Sequence, residues 1–256
     1  MKATKTASGS WEMVKTLVYA ILIALFIRTF FYEPFSIPSA SMVPTLLIGD
    51  YLFVSKFSYG YSRYSLPFGL PLIPGPGRIF FHPPQRGDVV VFKQPAHPSI
   101  DFIKRIIGLP GDTVQMKEGL LYINNEPVKL QRLPDFYYYE PYFNDPGACR
   151  TGNYPLFLET LPGGRQHRIM LNCQPSVLGN TGEFKVPEGH YFMMGDNRDD
   201  SSDSRDPNSG VGYVPAQNLV GRAEFIFFST DGYAALWEPW KWPFTIRYAR
   251  LFTAIQ

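Results

Sequence analysis

This 256-residue sequence is short of several things, and each shortage narrows its function. Net charge is small: 24 Lys and Arg against 22 Asp and Glu leave +2, which gives no basic field for nucleic acid. Cysteine is scarce. Cys149 and Cys173 cannot by themselves make a four-ligand zinc site, but they suffice for one disulfide in an oxidising compartment. There are four histidines, His82, His97, His167 and His190, and none lies in a recognisable triad motif. The acidic run beginning Asp196-Asn197-Arg198-Asp199 fails as a calcium loop, because it lacks the required glycine and glutamate counted from Asp196 or Asp199.

Aromatics, by contrast, reach 16%, with 24 Pro and 22 Gly. That mixture favours short strands and many turns, and we expect a mainly β fold built on an antiparallel sheet. A strongly apolar, charge-free stretch lies near the start. Thr16 to Ile27 carries no charge, and extension through Arg28 to Tyr32 gives 17 residues. As a helix that is about 25 Å, slightly under the roughly 30 Å hydrocarbon core. Arg28 near its end snorkels to the headgroups, with Phe30, Phe31 and Tyr32 as an interfacial belt. Lys2, Lys5 and Lys15 precede the span, and no Lys or Arg follows until Lys56, which places the N-terminus in the cytoplasm. A cleaved secretory signal is the competing reading. Its small-residue cleavage motif would be Ser39-Ala40-Ser41, far beyond the apolar run.

Ile37-Pro38-Ser39-Ala40-Ser41-Met42-Val43-Pro44-Thr45-Leu46 follows the span directly. Each proline fixes its own φ and drives the preceding residue towards extended geometry. The result is a stiff, non-helical strip at a membrane surface, either an ordinary turn or a rigid mount for a nucleophile. Asp50 to Ser58 reads as a strand. Tyr59 to Pro84, with Pro74-Gly75-Pro76-Gly77 inside it, reads as a hairpin or flap. After Arg86-Gly87-Asp88, Val89 to Phe92 reads as a buried strand. Ser99 to Ile107 reads as another. There Ile100, Phe102, Lys104 and Ile106 share one face and Asp101, Ile103, Arg105 and Ile107 the other. Lys104 is the one charge in its row. It is either an edge lysine reaching water or a desolvated amine able to act as a general base.

Tyr122 to Val128 reads as a hairpin around Asn124-Asn125. Tyr191 to Met194, Gly212 to Pro215 and Ala223 to Phe228 supply closing strands. The tail from Trp237 to Ile255, with Lys241, Arg247 and Arg250, suits a membrane interface or a packed helix. A Ser-Lys dyad needs only a positioned serine and a deprotonated lysine, and Ser41 and Lys104 are the best candidates.

These boxes resemble bacterial type I signal peptidases, the leader peptidases. The similarity rests on Pro38 to Leu46, on Lys104-Arg105 with Gly108-Leu109-Pro110-Gly111-Asp112, and on Gly195-Asp196-Asn197-Arg198-Asp199 with Ser201, Asp203, Ser204 and Arg205. It implies Ser41 as nucleophile and Lys104 as general base. Ser39 would join the Ser41 amide in the oxyanion hole, and Ser201 would orient the lysine amine. Asp196, Asp203 and Arg205 would hold the active-site loops. Phe35, Ile37, Leu46 and Ile103 would line pockets for small P1 and P3 residues.

The resemblance also implies a domain plan. Residues 1–15 form a cytoplasmic N-terminus and 16–32 a transmembrane helix. Residues 33–112 and 188–256 form the catalytic core, and 113–187 an inserted variable subdomain. The implied protein sits in the bacterial inner membrane as a single-pass enzyme with its catalytic domain on the outer, periplasmic side. Its partners are secreted preproteins and membrane lipid, not nucleic acid. The implied reaction cuts after Ala-x-Ala sites through an acyl-enzyme, with no metal or cofactor. Ala40 stands where many relatives have Gly, and Asp206 to Gly210 lengthens the segment after Arg205. The competing readings are a self-cleaving Ser-Lys protease and an inactive, membrane-tethered β-rich binding module.

Overall fold

A computed structural model describes residues 6–65, 77–138, 152–173, 176–208, 210–231 and 237–256. Helix α1 runs Thr6–Phe30, longer at its start than the uncharged run indicates. Glu12 and Lys15 are absorbed as an i,i+3 ion pair at 2.9 Å, which a helix surface tolerates. The apolar part, Trp11–Phe30, is 20 residues with none buried against protein, about 30 Å of helix. The shortfall expected from sequence therefore disappears. The helix ends at Phe30, and Tyr32 already belongs to the first strand.

That strand, β1, is Tyr32–Ser36, paired antiparallel with β2, Asp50–Ser55. The proline strip is the connection between them. β3, Val89–Lys93, and β4, Asp101–Gly108, follow as an antiparallel pair with Val90 opposite Lys104. Seven strands of the described residues make the middle of the chain: β5, Thr113–Lys117; β6, Leu120–Ile123; β7, Glu126–Pro127; β8, Lys129–Tyr137; β9, Asn153–Thr160; β10, Gln166–Met170; and β11, Phe184–Lys185. The chain returns through β12, His190–Met194, β13, Tyr213–Pro215, and the long β14, Leu219–Ser229. A one-turn α2, Trp242–Thr245, and β15, Thr253–Ala254, complete it.

The main sheet has the order β1-β2-β14-β3-β4-β12-β13, with β15 on β14. Residues of β5 to β11 form the other two sheets, β11-β5-β6-β7 and β10-β9-β8. The mainly antiparallel β fold expected from composition is what is found. β14 bends around the sheet through register shifts at Ala223/Phe225 and Ile226/Phe228, each adding twist. The turn at Asn124-Asn125 has φ of 54° and 66°, the left-handed pair that joins β6 to β7 tightly.

Alternation along β4 holds. Phe102 and Ile106 enter an apolar cluster with Val90, Phe92 and Met193, whereas Ile103 packs with Val89 and Val91 on the other side. The strip from Ser39 to Leu46 is a run of turns, as two prolines dictate. Met42, Val43 and Leu46 within it are fully buried, so apolar anchors fix it from below.

Between Tyr59 and Pro84, Tyr61 and Ile79 form an antiparallel bridge with bonds of 2.9 and 2.8 Å. Residues 66–76, where the tip of the expected hairpin falls, lie outside the described residues, as does Tyr139. Cys173 is in a disulfide. Cys149, the other cysteine of the sequence, lies outside the described residues.

Two groups of basic residues near the proposed membrane surface also find partners within the protein. Arg28 does not reach for headgroups alone, because its guanidinium pairs with Glu33 at 2.9 Å. Two arginines of the tail turn inward. Arg250 forks onto Asp50 at 2.5 and 3.0 Å, and Arg247 donates to the Ile48 carbonyl at 2.8 Å. The aromatics Trp237, Trp240 and Phe244 remain on the outside.

Candidate active site

Ser41 and Lys104 are 63 positions apart and meet: Lys104 Nζ lies 2.5 Å from Ser41 Oγ. The strip presents Ser41, and the centre of β4 presents Lys104. Lys104 is only 3% exposed, on the face of Phe102, whose ring centroid is 5.5 Å from Nζ. Burial strips the ammonium of water and pulls its pKa from 10.5 to about 8. Asp203, Asp200 and Asp196 pull the other way, and Arg205 reinforces the fall. An amine near that value is a competent base around neutrality, in hydrogen-bond reach of the hydroxyl it would deprotonate.

Ser39 Oγ lies 3.4 Å from Ser41 Oγ, on the exposed side of the strip. Ser201 is buried near the pair, but its hydroxyl has no hydrogen-bond partner among the described residues, and the expected bond to Lys104 is not made. Its place is fixed by Gly195. A Cβ there would stand 2.3 Å from Ser201 Oγ and 2.4 Å from the Ser41 carbonyl. Only glycine lets the polar loop lie this close behind Ser41.

The loop after β12 is held by two buried arginine forks. Arg205 grips Asp203 at 2.8 and 2.9 Å, and Asp203 also accepts the Gly195 amide at 3.0 Å. Arg105 grips Asp196 at 2.7 and 2.8 Å, while Thr45, at the end of the strip, donates to the same carboxylate at 2.5 Å. Both carboxyls stay below their ordinary pKa despite burial, because the guanidiniums beside them favour the anion. Asn197 completes the grip, donating its amide to the Ser41 carbonyl and its side chain to the Ala40 carbonyl, both at 3.2 Å.

Thr45, Asn197 and Arg105 are contributors the sequence reading did not single out. The signal for Arg105 is a second charge in an apolar strand, on the face opposite Lys104, and it is fully buried. Behind it lies another pair. Arg198 forks onto Glu159 of β9, with His167 Nε2 of β10 at 3.3 Å from the same carboxylate.

An open cleft of about 480 Å³ runs past Ser41 and Lys104. Phe35 and Ile103 line it. Ile37 and Leu46 do not line it. They are 3% and 0% exposed and pack with Met42 and Leu52 in the core. Phe35 and Ile103 rest on that cluster, so Ile37 and Leu46 support the cleft wall from behind.

A serine hydroxyl within hydrogen-bond reach of a desolvated amine, in a sheet that follows directly on an apolar helix, fits a class: membrane-anchored serine endopeptidases. Comparison with known proteins narrows it. The family model for signal peptidase, peptidase S26, matches residues 10–228. Signal peptidase I of Rickettsia massiliae (strain Mtu5) is 42% identical over 237 residues, 88% of this chain and 81% of that one. Signal peptidase I of Rickettsia akari (strain Hartford) is 43% identical over 235 residues, again 88% and 81% of the two chains. A solved signal peptidase I structure from Enterococcus faecalis V583 matches at 26% identity with a TM-score of 0.31, over 55% of this chain and 97% of that one. The chain belongs to the signal peptidase, peptidase S26, family, and signal-peptide removal is the activity that membership carries.

Proposed function

We propose that this protein cleaves preproteins after small residues, at Ala-x-Ala sites, by a Ser-Lys dyad through an acyl-enzyme. The observation that carries the reading is the 2.5 Å contact between Ser41 and a buried lysine whose pKa is lowered to about 8. Lys104 in its neutral form takes the Ser41 proton as Oγ attacks the scissile carbonyl carbon. The resulting oxyanion receives hydrogen bonds from the Ser39 hydroxyl and the Ser41 amide. One such donor is worth about 10²–10³ in kcat. As the C–N bond breaks, Lys104 passes its proton to the leaving amine and the signal peptide stays esterified to Ser41. Water, deprotonated by Lys104, then releases it.

Phe35 and Ile103 narrow the cleft beside the dyad, which favours small side chains near the scissile bond. Asp196, Asp203 and Arg205 act through the loop they brace, and Ser201 packs behind the dyad. The preprotein approaches from the outer, periplasmic side of the inner membrane. The N-terminus stays in the cytoplasm, α1 crosses the lipid, and residues 33–112 with 188–256 form the catalytic core around an inserted subdomain, 113–187. The test is incubation of the purified chain with a preprotein, followed by sequencing of the new N-terminus. A mature N-terminus just after Ala-x-Ala supports the reading. No cleavage, or cleavage that survives Ser41→Ala, removes it.

A further inference from the structure

The passage from membrane helix to catalytic sheet contains no linker. α1 ends at Phe30 and β1 begins at Tyr32, with Phe31 alone between them. A chain that needed only tethering would be served by a flexible polar segment, which leaves the attached domain free to tilt. Here the join is braced from several directions. The Tyr61 hydroxyl donates to the Phe30 carbonyl at 2.7 Å, and the Lys56 amide donates to the Phe31 carbonyl at 2.9 Å. Both satisfy carbonyls at the helix end, which otherwise turn to water.

Glu33 is the centre of the join. One carboxylate oxygen takes Arg28 of the last helical turn, at 2.9 and 3.1 Å, and the other takes Lys56 at 2.9 Å. Lys56 is 2% exposed and also donates to the Ser65 carbonyl at 2.6 Å, so it is anchored in the core. Edge-to-face contacts of Phe30 with Tyr61 and of Phe31 with Phe57 close the sides. β1 then leads to the cleft within five residues, roughly 17 Å at the usual strand rise, and Phe35 and Ser36 at its end line the cleft.

We infer that Glu33 and Tyr61 are positioning residues: they lock the helix to the sheet so that Ser41 is held at a fixed height above the bilayer. The inference rests on the peptidase reading. A substrate whose own apolar segment is lodged in the same bilayer presents its peptide bonds at heights set by spacer length. A rigid join therefore selects among chemically equivalent bonds by distance from the membrane, which the small-residue pockets cannot do.

The test uses the full chain in lipid vesicles. The substrates share one cleavage sequence, placed behind an apolar span with spacers lengthened one residue at a time. A soluble peptide carrying the same cleavage sequence is the control. Glu33→Gln would orphan the buried Lys56 ammonium and threaten folding, so the informative variant is Arg28→Gln with Tyr61→Phe, which loosens the join at an exposed pair and a single hydroxyl. The parent should show a sharp optimum in spacer length. In the variant, the ratio of best to neighbouring spacers should shrink by about tenfold, the worth of one ion pair and one hydrogen bond. Its kcat/KM on the soluble peptide should stay within about twofold of the parent, since nothing at the dyad changes. A parent indifferent to spacing overturns the inference. So does a variant with the parent's spacing profile, or one whose soluble-peptide cleavage falls in parallel. A parent that cleaves no substrate at all, soluble or lodged, removes the peptidase reading and this inference with it.

Discussion

The most direct perturbation is at Lys104. Its pKa of about 8, against an ordinary 10.5, sets two magnitudes. At pH 7 a group with that pKa is neutral in about one molecule in ten, against about three in ten thousand for a free lysine, a gain of roughly 300-fold in available base. In a soluble-peptide assay, kcat/KM should climb about tenfold per pH unit below neutrality and level off above about pH 8. Lys104→Ala and Lys104→Met should abolish turnover. Lys104→Arg should fail as well, because a guanidinium keeps its proton.

The second magnitude is in stability. Below pH 8 both folded and unfolded chains bind the proton, and burying it costs about 3 kcal/mol, the shift multiplied by 1.36 kcal/mol per unit. Between about pH 8 and 10.5 the folded chain releases the proton while the unfolded chain keeps it, so stability rises with pH until the cost is gone. Lys104→Met should therefore unfold at higher denaturant than the parent at pH 6, offset by about 1 kcal/mol for the lost bond to Ser41. The gap should close by about pH 10.5. A Lys104→Arg enzyme with near-normal turnover, or an activity inflection near 10, would refute the dyad.

Gly195→Ala should leave the chain folded but cut kcat by at least about tenfold, because its Cβ displaces the Ser41 carbonyl; active-site titration with an acylating inhibitor reads it. Asp196→Ala should destabilise by about 3–5 kcal/mol in urea unfolding, since it strands the buried Arg105 guanidinium. Histidine changes should spare chemistry: His82→Ala, His97→Ala and His190→Ala should match the parent in kcat. His167→Ala should lose melting temperature but not kcat, because its imidazole, held neutral by burial and by Arg105, braces Glu159 and touches neither Ser41 nor Lys104. External protease on spheroplasts should degrade the chain beyond Tyr32, and protection of that part would reverse the proposed topology.

Local rules carried the reading a long way. Proline positions gave the stiff strip, two-residue alternation gave the faces of β4, and Asn124-Asn125 gave a turn, all because they depend on neighbours in sequence. The pairing of distant polar groups was not legible. Arg105 and Asp196 are 91 positions apart, and no spacing rule selects that carboxylate over Asp199 or Asp200. The burial of Ile37 and Leu46 was not legible for a related reason. A residue flanking a nucleophile points either into the cleft or beneath it, and the turns of the strip, not its composition, send these two down. Arg28 was read against lipid because its partner, Glu33, lies past the helix end, where helical i,i+4 logic no longer applies.

The electrostatics explain why the loop carries so many charges around Lys104, which in the proposed mechanism must lose its own. Asp203 and Asp196 both favour the Lys104 ammonium, and left single they would hold its proton against the demands of the reaction. Each is instead committed to a guanidinium under 3 Å away, inside the protein. A close pair acts on Lys104 as a dipole, whose field falls off faster with distance than that of a lone charge. The forks therefore stiffen the loop behind Ser41 while mostly cancelling its charge. Desolvation, the largest influence on Lys104, outweighs the attraction left from these carboxylates and from Asp200. In the proposed mechanism, bracing Ser41 and freeing Lys104 thus follow from one arrangement: carboxylates supply acceptors for Gly195 and Thr45, and arginines weaken the hold of those carboxylates on the ammonium.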